Sequence, residues 1–589
     1  MSINIRLEGE SKMQKKIVAL LLLISLLATL VGCKNTDGNK NDSNKVDNTN
    51  VNQGDNKDNS KKENSGPVSI SFYPANGNLT SGTVGGWRGD YFKDEFGLSV
   101  EVWAYSDDKT NAILASGDLP DIMYVSADNL ETMIDGGMVL SLDEHLDKIP
   151  SIQKSDDIQT ALNYVREYKS AGTGKVYGIP SNIGAGQKKT DTDRYCLRLN
   201  WELYEKIGAP EVHNLDELIP VFKKMQEAEP VSETGVDMYA MNLFSDFDSS
   251  YFYNMFSIYS IFGYSTDNLA YLLETDMING TYSSILEDSS LYYEGLTFMN
   301  KLYREGLLDP DSISYTRSQT QAIVHQQRSA LAGWPASPGW APYYYQYLLD
   351  DENIYYNVQN TFGSNIYLVV NAKTKNVDAC LSFLEMMSNP DAFMTMRCGP
   401  EGSTWNKDSN GEVWVTENYI NASITGETFT FPNGEEYVLW NTPFIIGPGT
   451  DISYTQNGQK LSTVQTSWPD YVEATINNEI YEKWKATMKY DSWLNLLEDK
   501  NALYRESELA DVSTFAKTPD DTMQLMIDAI KDTVVTASWV MVYAETEAEF
   551  NAKWDEMVEK CEQLGAENIM QWRIDELEAA KEIKKSLTE

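Results

Sequence analysis

Hydrophobic positions fall into three regimes along the chain. From Ile17 to Val31 they make up an apolar run interrupted by Ser25 and Thr29, behind Lys15 and Lys16 and ahead of Gly32 and Cys33. From Lys34 to Gly66 they almost vanish among Asn, Asp, Lys, Ser and Gly. From Pro67 they alternate, or recur every three to four residues, and a folded body is predicted. Val68 to Pro74 (VSISFYP) alternates as a strand, as does LSVEVWAY further on. DIMYVSA follows a helix ending in ILASGDLP, and strands and helices in this order indicate a βαβ sheet.

The pattern then turns helical over Asp156 to Ser170, before GTGKVYGIPSN, where Gly172, Gly174 and Gly178 mark turns. A strand over Arg194 to Leu199 runs into a helix opened by Asn200 and closed by Gly208. Asn214 and Glu217 have the spacing of a capping box for the next helix. Further helices are predicted over Ser290 to Arg304 and Ser318 to Gln327, the latter before the strand-like RSALAGW. NIYLVVNAK is a continuous apolar run, the mark of a strand covered on both faces. From Trp468 the chain is mostly helical, ending in a charged helix over Trp572 to Lys585.

The first regime is an export signal: a basic start, about 15 apolar residues and a small residue before the cut. That length is below the ~18 needed to span a bilayer. Leu30-Val31-Gly32-Cys33 looks like a bacterial lipobox, which implies cleavage before Cys33 and lipid on its sulfur. Residues before Met13 fit no targeting pattern, so Met13 reads as the natural start. The second regime cannot offset its ordering entropy and reads as a tether, spanning ~30 Å root-mean-square.

Charge narrows the partners. The 589 residues hold 47 Lys+Arg against 88 Asp+Glu, a formal net charge of −41. Such a chain is repelled by nucleic acid and by anionic lipid, so attachment must come from the lipid on Cys33. Only His145, His213 and His325 are present, which argues against histidine-based catalysis or zinc. Cys196, Cys380, Cys398 and Cys561 lack CxxC spacing and sit in apolar or helical contexts; buried thiols are expected, with one disulfide as the alternative.

The segments LASGDLPDIMYV, GKVYGIP, LRLNWELYEKIGAPEVHNLDEL, FMNKLYREGLLDPD, VVNAKTKNVDACLSFLEMMSNP and GPEGSTW, in this order, carry a resemblance. The chain resembles the extracellular solute-binding lipoproteins of bacterial ABC importers, in the subset that takes up oligosaccharides. The resemblance implies a two-lobed α/β fold of the periplasmic-binding-protein type (type II), each lobe a mostly parallel sheet flanked by helices, with extra C-terminal helices. It also implies a monomer that holds a carbohydrate between its lobes and delivers it to permease subunits, without cofactor or catalysis. The expected boundaries are 1–32 for the signal, 33–66 for the lipidated tether, 67–185 with about 362–405 for lobe 1, and about 186–361 with 406–589 for lobe 2.

Ligands of open α/β sheets sit beyond the carboxyl ends of strands, so the loops there supply the candidates. They are Trp87 and Arg88, Asp128, Asn182, Trp334 and Trp340, and Glu401 with Trp405; Phe247 and Tyr343 to Tyr345 are further ones. Indole packs on the flat C–H face of a pyranose, while Asp, Arg and Asn serve its hydroxyls. In similar proteins an acidic residue near Asp128 bonds a sugar hydroxyl, and a Trp at the place of Trp334 stacks on a ring. Asn406, Asp408, Asn410 and Glu417 have calcium-loop spacing, but Asn stands first and no flanking helix is expected. A β-hairpin with SNG at its turn is the preferred reading. GTGKV lacks the spacing of a phosphate loop. Two rival functions remain at this stage: a surface carbohydrate-active enzyme built on paired carboxylates, and a receptor for peptide or another solute.

Overall fold

A six-stranded sheet organises the start of the folded body, in the computed structural model as in the sequence pattern. Its order is Gly82–Thr83, Leu98–Val102, Val68–Tyr73, Ile122–Ser126, Ile366–Val370, Gly178–Pro180. The structure describes residues 66–588 apart from 76–80, 185–191, 193–194, 249, 326–327, 337–342, 357–359, 426–427, 432, 438–446, 449–453, 457–458, 462–464, 477 and 506–507. The expected signal, Cys33 and the tether lie outside the described residues, and the folded unit begins at Gly66.

Val68–Tyr73 pairs in parallel with both neighbours, its Phe72 opposite Val102 on one side and Ile122 on the other. Ile366–Val370 runs antiparallel to both of its own. Its residues Tyr367 to Val370 are all fully buried, because helices cover both faces. The register brings the loops after Tyr73, Val102, Ser126 and Pro180 out along one edge.

The second lobe contains a three-stranded sheet with Leu197–Asn200 between Ala332–Gly333 and Tyr344–Tyr347, antiparallel on both sides. Among the described residues, parallel pairing in this lobe is confined to Ile354–Tyr356 with Leu503–Arg505 and to isolated bridges, Tyr239 with Ala330 and Met241 with Leu308. The expectation of a mostly parallel sheet is met in the first lobe only by direction, four of its six strands pointing the same way although Ile366–Val370 and Gly82–Thr83 pair antiparallel, and it is not met in this three-stranded sheet.

Local chemistry sets the helices. Asn214 accepts from the Glu217 backbone N–H at 3.0 Å and opens Leu215–Ala228, while Glu217 reaches back to the His213 N–H. Ser290 caps Leu291–Arg304 in the same manner. Buried Asn300, on that helix, donates its amide to the carbonyls of Met541, Val542 and Ala544. These carbonyls lie at and just past the end of the helix Asp521–Val542, where the intrahelical ladder runs out of donors.

Two apolar cores result. The first holds the six-stranded sheet with Val377–Ser388 and Pro390–Cys398; the second holds residues from Cys196 to Ile354 and from Tyr481 to Ile569. One boundary expectation is corrected. Val413, Val415, Tyr419, Phe431, Tyr437, Tyr454 and Trp468, expected in lobe 2, pack in the first core. Their hairpin is anchored by Trp405, which lies directly after the Pro390–Cys398 helix. The last helix, Ala566–Thr588, is longer than expected and has buried residues in both cores. Cys196, Cys380, Cys398 and Cys561 are buried thiols outside any disulfide, and burial pushes Cys380, Cys398 and Cys561 up to about 12.

Candidate functional site

Two surfaces flank the segment that carries the chain from the first core to the second. On the first lobe it leaves from Pro180, at the edge where the strand ends gather. Ser126 caps the helix Ala127–Asp135 there, and Asp128 stands exposed in its first turn. Lys169 faces Asp128 and Glu131, its pKa lowered by burial and held up in part by those carboxylates. Half-buried Trp103 follows its strand at the same edge, with the Lys109 ammonium 5.5 Å from its ring and 5.7 Å from that of Tyr73.

Asn182 begins the crossing. Its backbone has φ +58°, a left-handed conformation that Asn tolerates better than most residues, and its N–H donates to the Gly447 carbonyl at 2.9 Å.

On the second lobe the segment arrives at Tyr195, at the sheet end where Gly333 pairs with Arg198. An aromatic band lies here. Tyr251 stacks on Tyr253 (5.8 Å, 23°) and Tyr253 on Phe256 (5.7 Å, 18°). Phe247 lies 5.3 Å from Tyr253, and Tyr195 lies 6.2 Å from Phe256. All five rings are half-buried, which leaves apolar ring surface facing water.

Polar groups fix the band. Asp248 accepts from the Tyr253 N–H at 2.8 Å and from the Trp539 indole at 2.7 Å, and burial raises its pKa to about 6. Arg317 lies 5.3 Å over Phe247, its N–H bonded to Asp246 and its guanidinium to the Ala336 carbonyl. Aromatic faces beside a carboxylate and a guanidinium are suited to a ligand with apolar faces and polar edges.

The remaining candidates fall elsewhere. Trp334 is 1% exposed; its indole donates to the Ala240 carbonyl at 2.9 Å and packs on Phe298. It is a core residue of the second lobe, which overturns the stacking role. Trp405 is likewise 1% exposed, its indole bonded to the Gly399 carbonyl, so it too is corrected from ligand platform to core. Tyr343, Tyr344 and Tyr345 are buried as well. Trp340 lies outside the described residues.

Trp87 is half-buried, with the Phe431 ring 5.4 Å away and the Arg88 guanidinium 4.5 Å from its ring. Arg88 donates to the Met396 carbonyl, its Nη2 is buried without a hydrogen-bond partner, and burial lowers its pKa. Glu401 is exposed, bridged to Trp405. Arg88, Glu401 and Trp405 thus gather around the end of the Pro390–Cys398 helix, with Trp87 beside Arg88.

The calcium-spaced segment forms the hairpin. Trp405–Lys407 pairs antiparallel with Val413–Val415, and Asp408 accepts from the N–H groups of Asn410 and Glu412 across the turn, which lowers its pKa. A helix does follow it, Glu417–Thr425, contrary to expectation. Among the described residues no group of three or more His, Cys, Asp or Glu side chains is arranged to hold a metal ion. A polar cavity of about 380 Å³ lies apart in the second lobe, lined by His213, Glu274, Asp276, Glu294, Asp351 and their neighbours.

With two lobes and a crossing between them in place, comparison with known proteins decides the family. The family model for bacterial extracellular solute-binding proteins matches residues 76–392, more than half of the chain. The chain belongs to this family. Among curated relatives, the fructooligosaccharide ABC transporter substrate-binding protein FusA of Streptococcus pneumoniae is 24% identical over 246 residues, 40% of this chain and 43% of FusA. The match thus spans less than half of that relative's length. Among solved structures, an HMO-binding, ABC-transporter-associated solute-binding protein of Bifidobacterium longum infantis superposes with TM-score 0.55 and 17% identity, over 88% of this chain and 99% of its own. FusA in complex with kestose gives 0.54 and 13%, over 88% and 100%. At these identities the likeness speaks to the fold: this solute-binding protein shares the two-lobed architecture of both. Among the described residues no helix is long and apolar enough to cross a membrane.

Proposed function

We propose that this solute-binding protein is a lipid-anchored receptor on the outer face of a cell membrane, which captures an oligosaccharide between its lobes and hands it to the permeases of an ABC importer. The observation that carries the carbohydrate reading is the stack Tyr251, Tyr253, Phe256, half-exposed beside Arg317 and Asp246 at the point where the chain enters the second lobe. The half-exposed edges and outer faces of these rings offer apolar surface to the C–H faces of a sugar. Asp128 and Asn182, with Lys169 and Trp103, are the proposed contacts on the opposite lobe, and Trp87, Arg88 and Glu401 are outlying ones. A ligand that touches both surfaces only when they approach favours the closed form, which is a shift of population. The relatives that bind oligosaccharides by name support the same ligand class. The protein acts as a monomer, without cofactor or catalysis, and Cys33 carries the lipid.

The test is calorimetry with the full chain carrying Cys33→Ser, against kestose, raffinose and maltotriose, followed by chromatography of the sugar. One-to-one binding with sugar recovered intact is the expected result. Steady conversion of the sugar, or no binding to any of the three, overturns the proposal.

A further inference from the structure

The last helix belongs to two cores at once. Ala566–Thr588 has 23 residues, ~34 Å at 1.5 Å per residue. Ala566 and Ile569, near its start, are buried in the second core; Leu577 and Ala580, further on, are buried in the first. Met570 packs against both, and Ile574, Ile583 and Leu587 extend the contact with the first. A single helix is stiff over this length, so it cannot follow both lobes if they rotate apart. One end has to shift in its socket.

Polar contacts show where each end is held. Arg573, 5% exposed, lies between the two sets of buried residues. Its guanidinium donates to the Asn268 side chain at 2.8 Å and lies 4.3 Å from the Tyr271 ring. Asn268 is itself buried, and its amide donates to Thr275, so the anchor on this side is rigid. At the other end the Lys584 ammonium donates to the Ala510 carbonyl at 2.6 Å. Ala510 packs with Leu509 and Met277 in a small cluster of its own, on the segment between Ala502, buried in the second core, and Val512, buried in the first.

We infer that the last helix is a brace across the hinge, pinned by Arg573 to the second lobe and by Lys584 to the crossing segment, and that it sets the equilibrium between open and closed forms. The brace favours the lobe arrangement in which both sets of sockets are filled, the one seen here. Weakening either pin moves molecules out of that arrangement. Because apparent affinity scales with the fraction of protein in the competent form, the brace tunes affinity from the side of the hinge, without touching ligand. The inference rests on the two-lobed fold and on lobe movement, not on which solute is bound.

The experiment measures inter-lobe distance without ligand, so it decides the matter even if no oligosaccharide binds. Spin labels go on Asp118→Cys in the first lobe and Lys224→Cys in the second, both exposed, in the full chain carrying Cys33→Ser; the four native thiols are buried. Double electron–electron resonance is recorded with and without Arg573→Met or Lys584→Met. In either variant the ratio of molecules at the wild-type distance to those at other distances should fall about fivefold or more. Arg573→Lys, which keeps the charge and one donor, should restore part of the wild-type distribution. Unchanged distributions in the variants that fold, whatever their melting temperatures, overturn the brace. If Arg573→Met does not fold, Lys584→Met decides alone.

Discussion

The side-chain amide of Asn360 donates to the backbone carbonyl of Asn182 at 2.9 Å, tying the segment that leaves the first lobe to the one that returns to it. The Gly184 N–H completes the link, donating to the Asn360 carbonyl at 2.7 Å. Gly363 permits this closeness: it has φ +74°, and a Cβ there would sit 2.7 Å from the Ser181 carbonyl oxygen and 2.8 Å from Pro180 Cβ.

Gly363→Ala should therefore destabilise the protein by ~1–3 kcal/mol, through left-handed strain and backbone contact together. Urea denaturation measures it. A change below ~0.5 kcal/mol would mean that the two segments separate easily, and the tie would not matter.

Trp334→Ala and Tyr253→Ala should part company. The first empties a core site and should cost ~3–5 kcal/mol of stability. The second removes a half-exposed ring, and should weaken oligosaccharide binding by ~1–3 kcal/mol with a smaller loss of stability. Melting temperature and calorimetric affinity on both variants separate the roles; the opposite pattern would move the site to Trp334.

Glu352 makes stability depend on pH. Its carboxyl is buried, with one oxygen accepting from the Leu349 N–H at 2.7 Å and the other without a hydrogen-bond partner, and burial raises its pKa to about 8. An unfolded Glu titrates near ~4.3, so between there and about 8 the folded state holds a proton that the unfolded state has lost. Stability contributed by this group is thus present below the lower value and declines as pH rises to the upper, by at most ~1.4 kcal/mol per pH unit. Glu352→Gln should flatten that decline in denaturation midpoints measured from pH 5 to 8. A profile identical to wild type would show that the carboxyl is already ionised.

Cys33→Ser should abolish incorporation of labelled palmitate and move the protein from membranes to the medium. Persistent labelling and membrane fractionation would show that attachment does not depend on this sulfur.

Much of the fold was legible because its signals are local. Asn214, Ser290 and the run Ile366–Val370 declare a cap, a cap and a strand covered on both faces within a few residues of sequence. Trp334 and Trp405 were misread for the complementary reason. Their place after strands is visible locally, but the Ala240 carbonyl that takes the Trp334 indole N–H lies 94 residues away. The band from Phe247 to Phe256 escaped notice, apart from Phe247 itself, because its rings follow neither helical nor strand period. Aromatic density in a non-periodic stretch was the available signal. The placement of 406–471 failed because membership of a lobe depends on where the chain crosses, which no short window encodes.

The shared final helix also orders events during synthesis. A chain emerging from its N-terminus presents both lobes before the segment that joins them from behind, and domains generally fold in that order. Until Leu577 and Ala580 arrive, their sockets in the first core stand open to water. A chain cut short near residue 570 would therefore expose apolar surface on an otherwise assembled body, the kind of lesion that proteases and chaperones recognise.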